Sequence, residues 1–285
     1  MISWILACTG TLDPGTVDSV DTGEAETPGA QEPRPYTGSC PDMSGSSLEI
    51  ESAGQTRDVL FRFPDDPAGA PVWFSWHWLG GTASQTIQYL DLGALAAEGW
   101  IVVAPETASG SNHPAFDWGF AGTDAMIEAD LALFDDILAC LYEQHAIDLD
   151  RVYTSGMSAG GLWSSYLAIH RSEALAAAAP YSGGTGSVIP YTTPERQLPM
   201  MLTWGGEGDT WTGFSFDDAN EDFSEDLLSD GHFVMQCVHS MGHQVPNGIT
   251  DWTLRFFDDH PWQVDESPYL EDELPGVFPD YCSVP

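Results

Sequence analysis

Short apolar runs alternate with helical patterns along most of this chain, and that alternation constrains the fold more than any other feature. Residues 72–77, 100–105, 151–156, 175–181, 199–204 and 232–239 read as strands. Helical spacing falls between or after them, at 84–98, 123–145, 159–170, 217–229 and 250–260. In the 123–145 stretch Ile127, Leu131, Phe134, Leu138 and Leu141 share one face, as a 3.6-residue period requires. Two further extended segments, 48–52 and 58–63, predict a hairpin at the start. Strands separated by helices of ten or more residues form a mostly parallel sheet with helices on both faces. Strands buried on both faces should be almost continuously apolar, and several here are. The expectation is one α/β domain over residues 56–285, with no internal repeat.

The amino-terminal part reads differently. Residues 9–55 are rich in Thr, Gly, Pro, Ser, Asp and Glu, a composition that predicts a flexible linker, because it buries too little apolar surface to offset ordering. Before it, Ile5-Leu6-Ala7-Cys8 resembles a lipoprotein signal, although no basic residue precedes Cys8. Residues 1–8 are therefore expected to be a truncated signal and Cys8 a lipidation site. The protein would then be extracellular or in the cell envelope, touching membrane only through that lipid. The remaining cysteines, Cys40, Cys140, Cys237 and Cys282, suit two disulfides in an oxidising compartment, with three connectivities open.

Charge removes other classes. Seven basic residues, all Arg, face 44 acidic ones, for a formal net charge of −37. Nucleic acids and anionic bilayers both need cationic patches, so neither is expected as a partner. His239 and His243 have metal-ligand spacing on a helix, but Gly242 and Pro246 oppose a helix and no Glu follows the first His. No metal is expected.

The chemistry is carried by Gly156-Met157-Ser158-Ala159-Gly160. G-x-S-x-G is weak by itself in a chain with 29 Gly. Here a strand pattern enters it and a helix pattern with small residues leaves it. A sharp strand-to-helix turn lifts a serine hydroxyl out at the carboxyl edge of a sheet, above a helix amino terminus. Ser158 is thus the candidate nucleophile. It needs a base, and His170, His232, His239, His243 and His260 lie downstream. His243 is favoured over His239, because it sits in a glycine- and proline-bounded loop after a strand. An acid should hold the base's tautomer. Asp209, with Glu207 second, follows the strand at 199–204. Oxyanion N–H groups are expected from Ala159 and from Leu79, with Trp78 as the alternative to Leu79.

At His77-Trp-Leu-Gly-Gly81, Val152-Tyr-Thr-Ser-Gly-Met-Ser-Ala-Gly-Gly161, Gly205–Asp209 and Gly242-His-Gln-Val-Pro246 the chain resembles a secreted esterase family. That family contains feruloyl esterases, acetylxylan esterases and poly(3-hydroxybutyrate) depolymerases. The likeness runs over about residues 40–262. It implies an α/β-hydrolase fold, a triad of Ser158, Asp209 and His243, no metal and no organic cofactor. The acid motif departs from the family's usual His-Gly-Thr-x-Asp form. Among the 11 Trp, Trp78, Trp118, Trp163, Trp204 and Trp211 fall near loops of the active edge. Trp78, Trp118 and Trp211 are the expected substrate-binding residues, since flat rings stack on acyl groups or sugars. The reading is an exported serine esterase for feruloyl, acetyl or polyhydroxyalkanoate-type esters. Its rivals are a serine peptidase and an inactive surface binding protein on the same fold.

Overall fold

The computed structural model describes residues 29–108, 116–262, 264, 266–270 and 273–285. Cys8 and the signal expected around it lie outside the described residues.

In chain order the elements are β1 (Ser47–Ser52), β2 (Gln55–Arg62), β3 (Val72–Trp76), α1 (Ala83–Tyr89), β4 (Ile101–Pro105), α2 (Asp124–His145), β5 (Val152–Met157), α3 (Ala159–His170), β6 (Ala177–Tyr181) and β7 (Met200–Trp204). There follow β8 (Thr210–Trp211), β9 (Phe214–Ser215), α4 (Phe216–Ser229), β10 (Val234–Val238), α5 (Ile249–Asp258) and β11 (Cys282–Ser283). Nine strands form one sheet in the order β1-β2-β4-β3-β5-β6-β7-β10-β11. From β4 to β10 all pairings are parallel, and the antiparallel strands sit at the two edges.

The central strands are apolar because both faces are covered. Along β3 Val72, Phe74 and Trp76 enter the core shared with α2, α3 and α4, while Trp73 enters the other, shared with α1 and α5. That is the period-2 alternation of a strand. On the second face Phe257 of α5 meets Trp73 edge-on and stacks on Tyr153 at 4.5 Å. Buried rings of this size each contribute about 2–3 kcal/mol.

Two expectations change. The stretch 84–98 is not one helix. α1 stops at Tyr89, Asp91 turns left-handed at φ 52°, and a 3₁₀ helix resumes at Leu92–Glu98. A left-handed residue cannot continue an α-helix, and Asp is among the few that tolerate it. The linker expected through residue 55 is also corrected, since the described part packs on the domain. Met43 is fully buried, its N–H bonds to Gln144 Oε1 at 3.0 Å, and β1 pairs with β2. Composition averaged over the segment hid the anchoring of the polar stretch before β1, while β1 itself is the first strand of the expected hairpin.

The four cysteines form Cys40–Cys140 and Cys237–Cys282 disulfides. One ties the amino-terminal segment to α2. The other pins β11 beside β10, the strand that leads to His243. Among the described residues no helix is long and apolar enough to cross a membrane.

Candidate active site

The carboxyl ends of β3, β5, β7 and β10 converge on one edge of the sheet, and each delivers part of the site. β5 delivers Ser158 on a turn that only a crowded backbone can make. Ser158 sits at φ 58°, and its N–H is held by the Tyr181 carbonyl at 2.9 Å. A non-glycine residue there costs about 1–3 kcal/mol, so the surrounding packing must impose it. Gly160 shows how tight that packing is. A Cβ added there would lie 2.1 Å from the Trp76 carbonyl oxygen, so the second residue of α3 must be glycine.

β7 delivers the acid and β10 the imidazole. Ser158 Oγ lies 2.9 Å from His243 Nε2, and His243 Nδ1 lies 2.6 Å from Asp209 Oδ1. The second carboxylate oxygen accepts from Ser182 Oγ at 2.7 Å and from the Gly205 N–H at 2.8 Å. Asp209 is fully buried. Burial pushes its carboxyl up, but the bonds from His243, Gly205 and Ser182 outweigh that and hold it below the usual carboxylate range. A carboxylate acceptor leaves His243 Nδ1 as the donor and Nε2 free to take a proton from the serine. Gly205 and Gly242 join the two arms: a Cβ on Gly205 would meet the Gly242 carbonyl oxygen at 2.1 Å. Glu207, the alternative acid, is exposed. His239, the alternative base, is buried, with Nδ1 on the Met241 N–H at 3.3 Å.

The loop after β3 is held from several sides. A carbonyl can only accept, so His77 Nδ1 donates to the Trp78 carbonyl at 2.8 Å. The Gly81 N–H reaches the same carbonyl at 2.8 Å. From a separate segment, Asp117 Oδ2 accepts the Gly80 N–H at 2.6 Å. His77 is buried, and that burial lowers its pKa below the ordinary imidazole value. Among the described residues the N–H groups of Leu79 and Ala159 donate to no protein acceptor. They are available to a ligand oxygen.

Trp78, Leu79, Tyr89, Phe116, Met157 and Trp211 line a cleft of about 370 Å³ over Ser158 and His243. Trp118 is not among them. It is fully buried, edge-on to Trp76 at 5.1 Å, with its Nε1 on the His77 carbonyl at 2.8 Å. The expected substrate contact is a core residue that supports the loop from beneath. Trp163 and Trp204 are buried as well. Sequence reasoning missed Ser182, Tyr89, Phe116 and Met157. Ser182 directly follows β6, between the strands of serine and acid, and that position was the available signal.

Comparisons with known proteins bear on the fold and the enzyme class. Residues 84–222 match the prolyl oligopeptidase family. The chain is 23% identical over 301 residues to an oxidized polyvinyl alcohol hydrolase of Sphingopyxis sp. (strain 113P3), covering 78% of this chain and 81% of that one. It is 29% identical over 128 residues to poly(3-hydroxyalkanoate) depolymerase C of Paucimonas lemoignei, covering 41% of this chain and 29% of that one. Among solved structures, native sOPH superposes with a TM-score of 0.70 at 19% identity, over 89% of this chain and 97% of that one. The Bacillus cereus carboxylesterase does so with a TM-score of 0.51 at 16% identity, over 70% and 92%. The fold is the α/β-hydrolase fold. The chain is a serine hydrolase.

Proposed function

We propose that Ser158, His243 and Asp209 form a catalytic triad that hydrolyses carboxylic esters with apolar acyl chains. The single observation that carries this is the continuous hydrogen-bonded line from Ser158 Oγ through His243 to a buried carboxylate, at 2.9 and 2.6 Å, at the floor of an open cleft. Ser158 Oγ attacks the ester carbonyl as His243 Nε2 takes its proton. Asp209 supports the imidazolium that forms, and Leu79 and Ala159 N–H groups hold the oxyanion. His243 then protonates the departing alcohol. Water, deprotonated by His243, attacks the acyl-enzyme and frees the acid, restoring Ser158.

The cleft supports the substrate class. Among its described lining residues, Ser158 and His243 apart, polar side-chain groups are limited to the Tyr89 hydroxyl and the Trp78 and Trp211 indole N–H groups. Sugar hydroxyls need fixed polar partners, so this lining favours aliphatic esters of the hydroxyalkanoate type over acetylxylan. Feruloyl esters would gain stacking on Trp78 or Trp211 and rank second. The relatives' names, a polyvinyl alcohol hydrolase and a polyhydroxyalkanoate depolymerase, favour a polymer chain as the natural substrate. The two disulfides suit an exported protein.

The prolyl oligopeptidase match keeps a peptidase reading in view. A peptidase that anchors a peptide amine needs an acidic group in the cleft, and the lining has none among the described residues. Matched p-nitrophenyl butyrate and butyryl p-nitroanilide, with 3-hydroxybutyrate oligomers beside them, separate the readings. Hydrolysis of the esters without the anilide is the expected result. Preferential cleavage of the anilide would overturn the proposal.

A further inference from the structure

One ring near His243 is used neither by the cleft nor by the triad. Phe216, the first residue of α4, is fully buried. Its ring lies face to face with the His243 imidazole, with centroids 4.4 Å apart and planes 19° apart. The ring's position is fixed from several directions. The Phe216 N–H donates to the carbonyl of Asp209 itself at 2.9 Å. Its carbonyl accepts from Asn220 Nδ2 at 2.7 Å, and Phe214 packs edge-on against it at 4.8 Å. The segment from Gly205 to Phe216 thus supplies the acid, the Trp211 wall of the cleft and a platform under the base.

We propose that Phe216 is a positioning residue for His243, its ring face aligning the imidazole and stabilising the imidazolium formed when Ser158 gives up its proton. This rests on the triad reading above. An aromatic face carries negative charge density and attracts a cation within about 6 Å of its centroid. The imidazole is cationic only while the proton from Oγ resides on Nε2. The attraction is therefore stronger in the transition state than in the resting enzyme, which makes it a contribution to kcat. A residue that merely fills the core under the loop would have the right shape without needing this charge distribution.

The experiment replaces Phe216 in the full chain with mono-, di- and trifluorinated phenylalanine. These keep the ring's shape while withdrawing its face charge. With p-nitrophenyl butyrate, kcat should fall stepwise along the series, by about 3- to 30-fold in all, while KM stays nearly constant. Thermal melting of each variant checks that the fold is kept. A flat kcat series in folded protein would overturn the role of the ring face. Ser158→Ala is assayed alongside. If it is inactive and the series is flat, only this inference fails. If it is active, the triad reading fails and this inference with it.

Discussion

Two serine–histidine pairs are hydrogen-bonded among the described residues, and the shorter one is not at the cleft over Ser158. His243 Nε2 stands 2.9 Å from Ser158 Oγ at the carboxyl edge of the sheet. At the opposite edge, past the end of α5, His260 Nε2 stands 2.7 Å from Ser267 Oγ. What differs is everything around the pair. His243 Nδ1 meets a carboxylate, whereas His260 Nδ1 meets only the Phe256 carbonyl at 2.7 Å. Ser158 is forced left-handed above a helix start with free N–H groups, whereas Ser267 opens a turn closed by the Leu270 N–H at 3.2 Å. His260 is fully buried, and that burial pushes its pKa down to about 4. A base must accept a proton, and this one resists doing so. Proximity of a hydroxyl and an imidazole does not make a nucleophile. The third group and the oxyanion donors do.

That contrast can be broken most severely at the hydroxyls. Ser158→Ala should reduce kcat on p-nitrophenyl butyrate by on the order of 10⁶-fold, while Ser267→Ala leaves it nearly unchanged. Equal losses would erase the distinction. The third group is tested next. Asp209→Asn keeps the shape and removes the charge, and should lower kcat by about 10⁴-fold in a protein that still melts cooperatively.

The inert pair should reveal itself in stability instead. His260 titrates at about 4 when folded and near 6.5 when unfolded. Between those values the unfolded chain binds the proton and the folded one does not. The stability from His260 is therefore complete above about pH 6.5 and falls by on the order of 3 kcal/mol as pH drops toward 4. Denaturant titrations across that window should show a shallower slope in His260→Gln. An unchanged slope would mean His260 is not held neutral.

The smallest effect concerns the loop that carries Leu79. Asp117→Ala removes the acceptor of the Gly80 N–H. It should lower kcat about tenfold, with Asp117→Asn restoring most of the loss because an oxygen acceptor remains. Loss in both, with a raised KM, would place Asp117 in substrate binding rather than in shaping the loop.

Legibility from sequence followed how local each feature is. The α/β alternation is a pattern of neighbours, and the mostly parallel sheet follows from it. The serine turn is five residues long and announces itself by its glycines. The geometry around Asp209 is different, because Ser182 reaches the carboxylate from the end of the neighbouring strand β6 and no spacing along the chain records that meeting. Trp118 shows the limit from the other side. A tryptophan near a loop is equally consistent with cleft and core. Here its Nε1 has a buried carbonyl to satisfy, which decides for the core. Asp91 broke a helical pattern whose apolar spacing gave no warning, because a left-handed turn depends on backbone dihedrals. The packing of residues 29–46 was hidden by composition, since a disulfide and a few buried side chains suffice to fasten a polar segment.

The most direct measurement is labelling of the folded protein with a fluorophosphonate, followed by mass mapping of the modified peptide. Such a probe reacts quickly only with a serine that has both a base and an oxyanion site. The account predicts a label on Ser158 alone, lost in His243→Ala. A label on Ser267, or one on Ser158 that persists undiminished without His243, would contradict it.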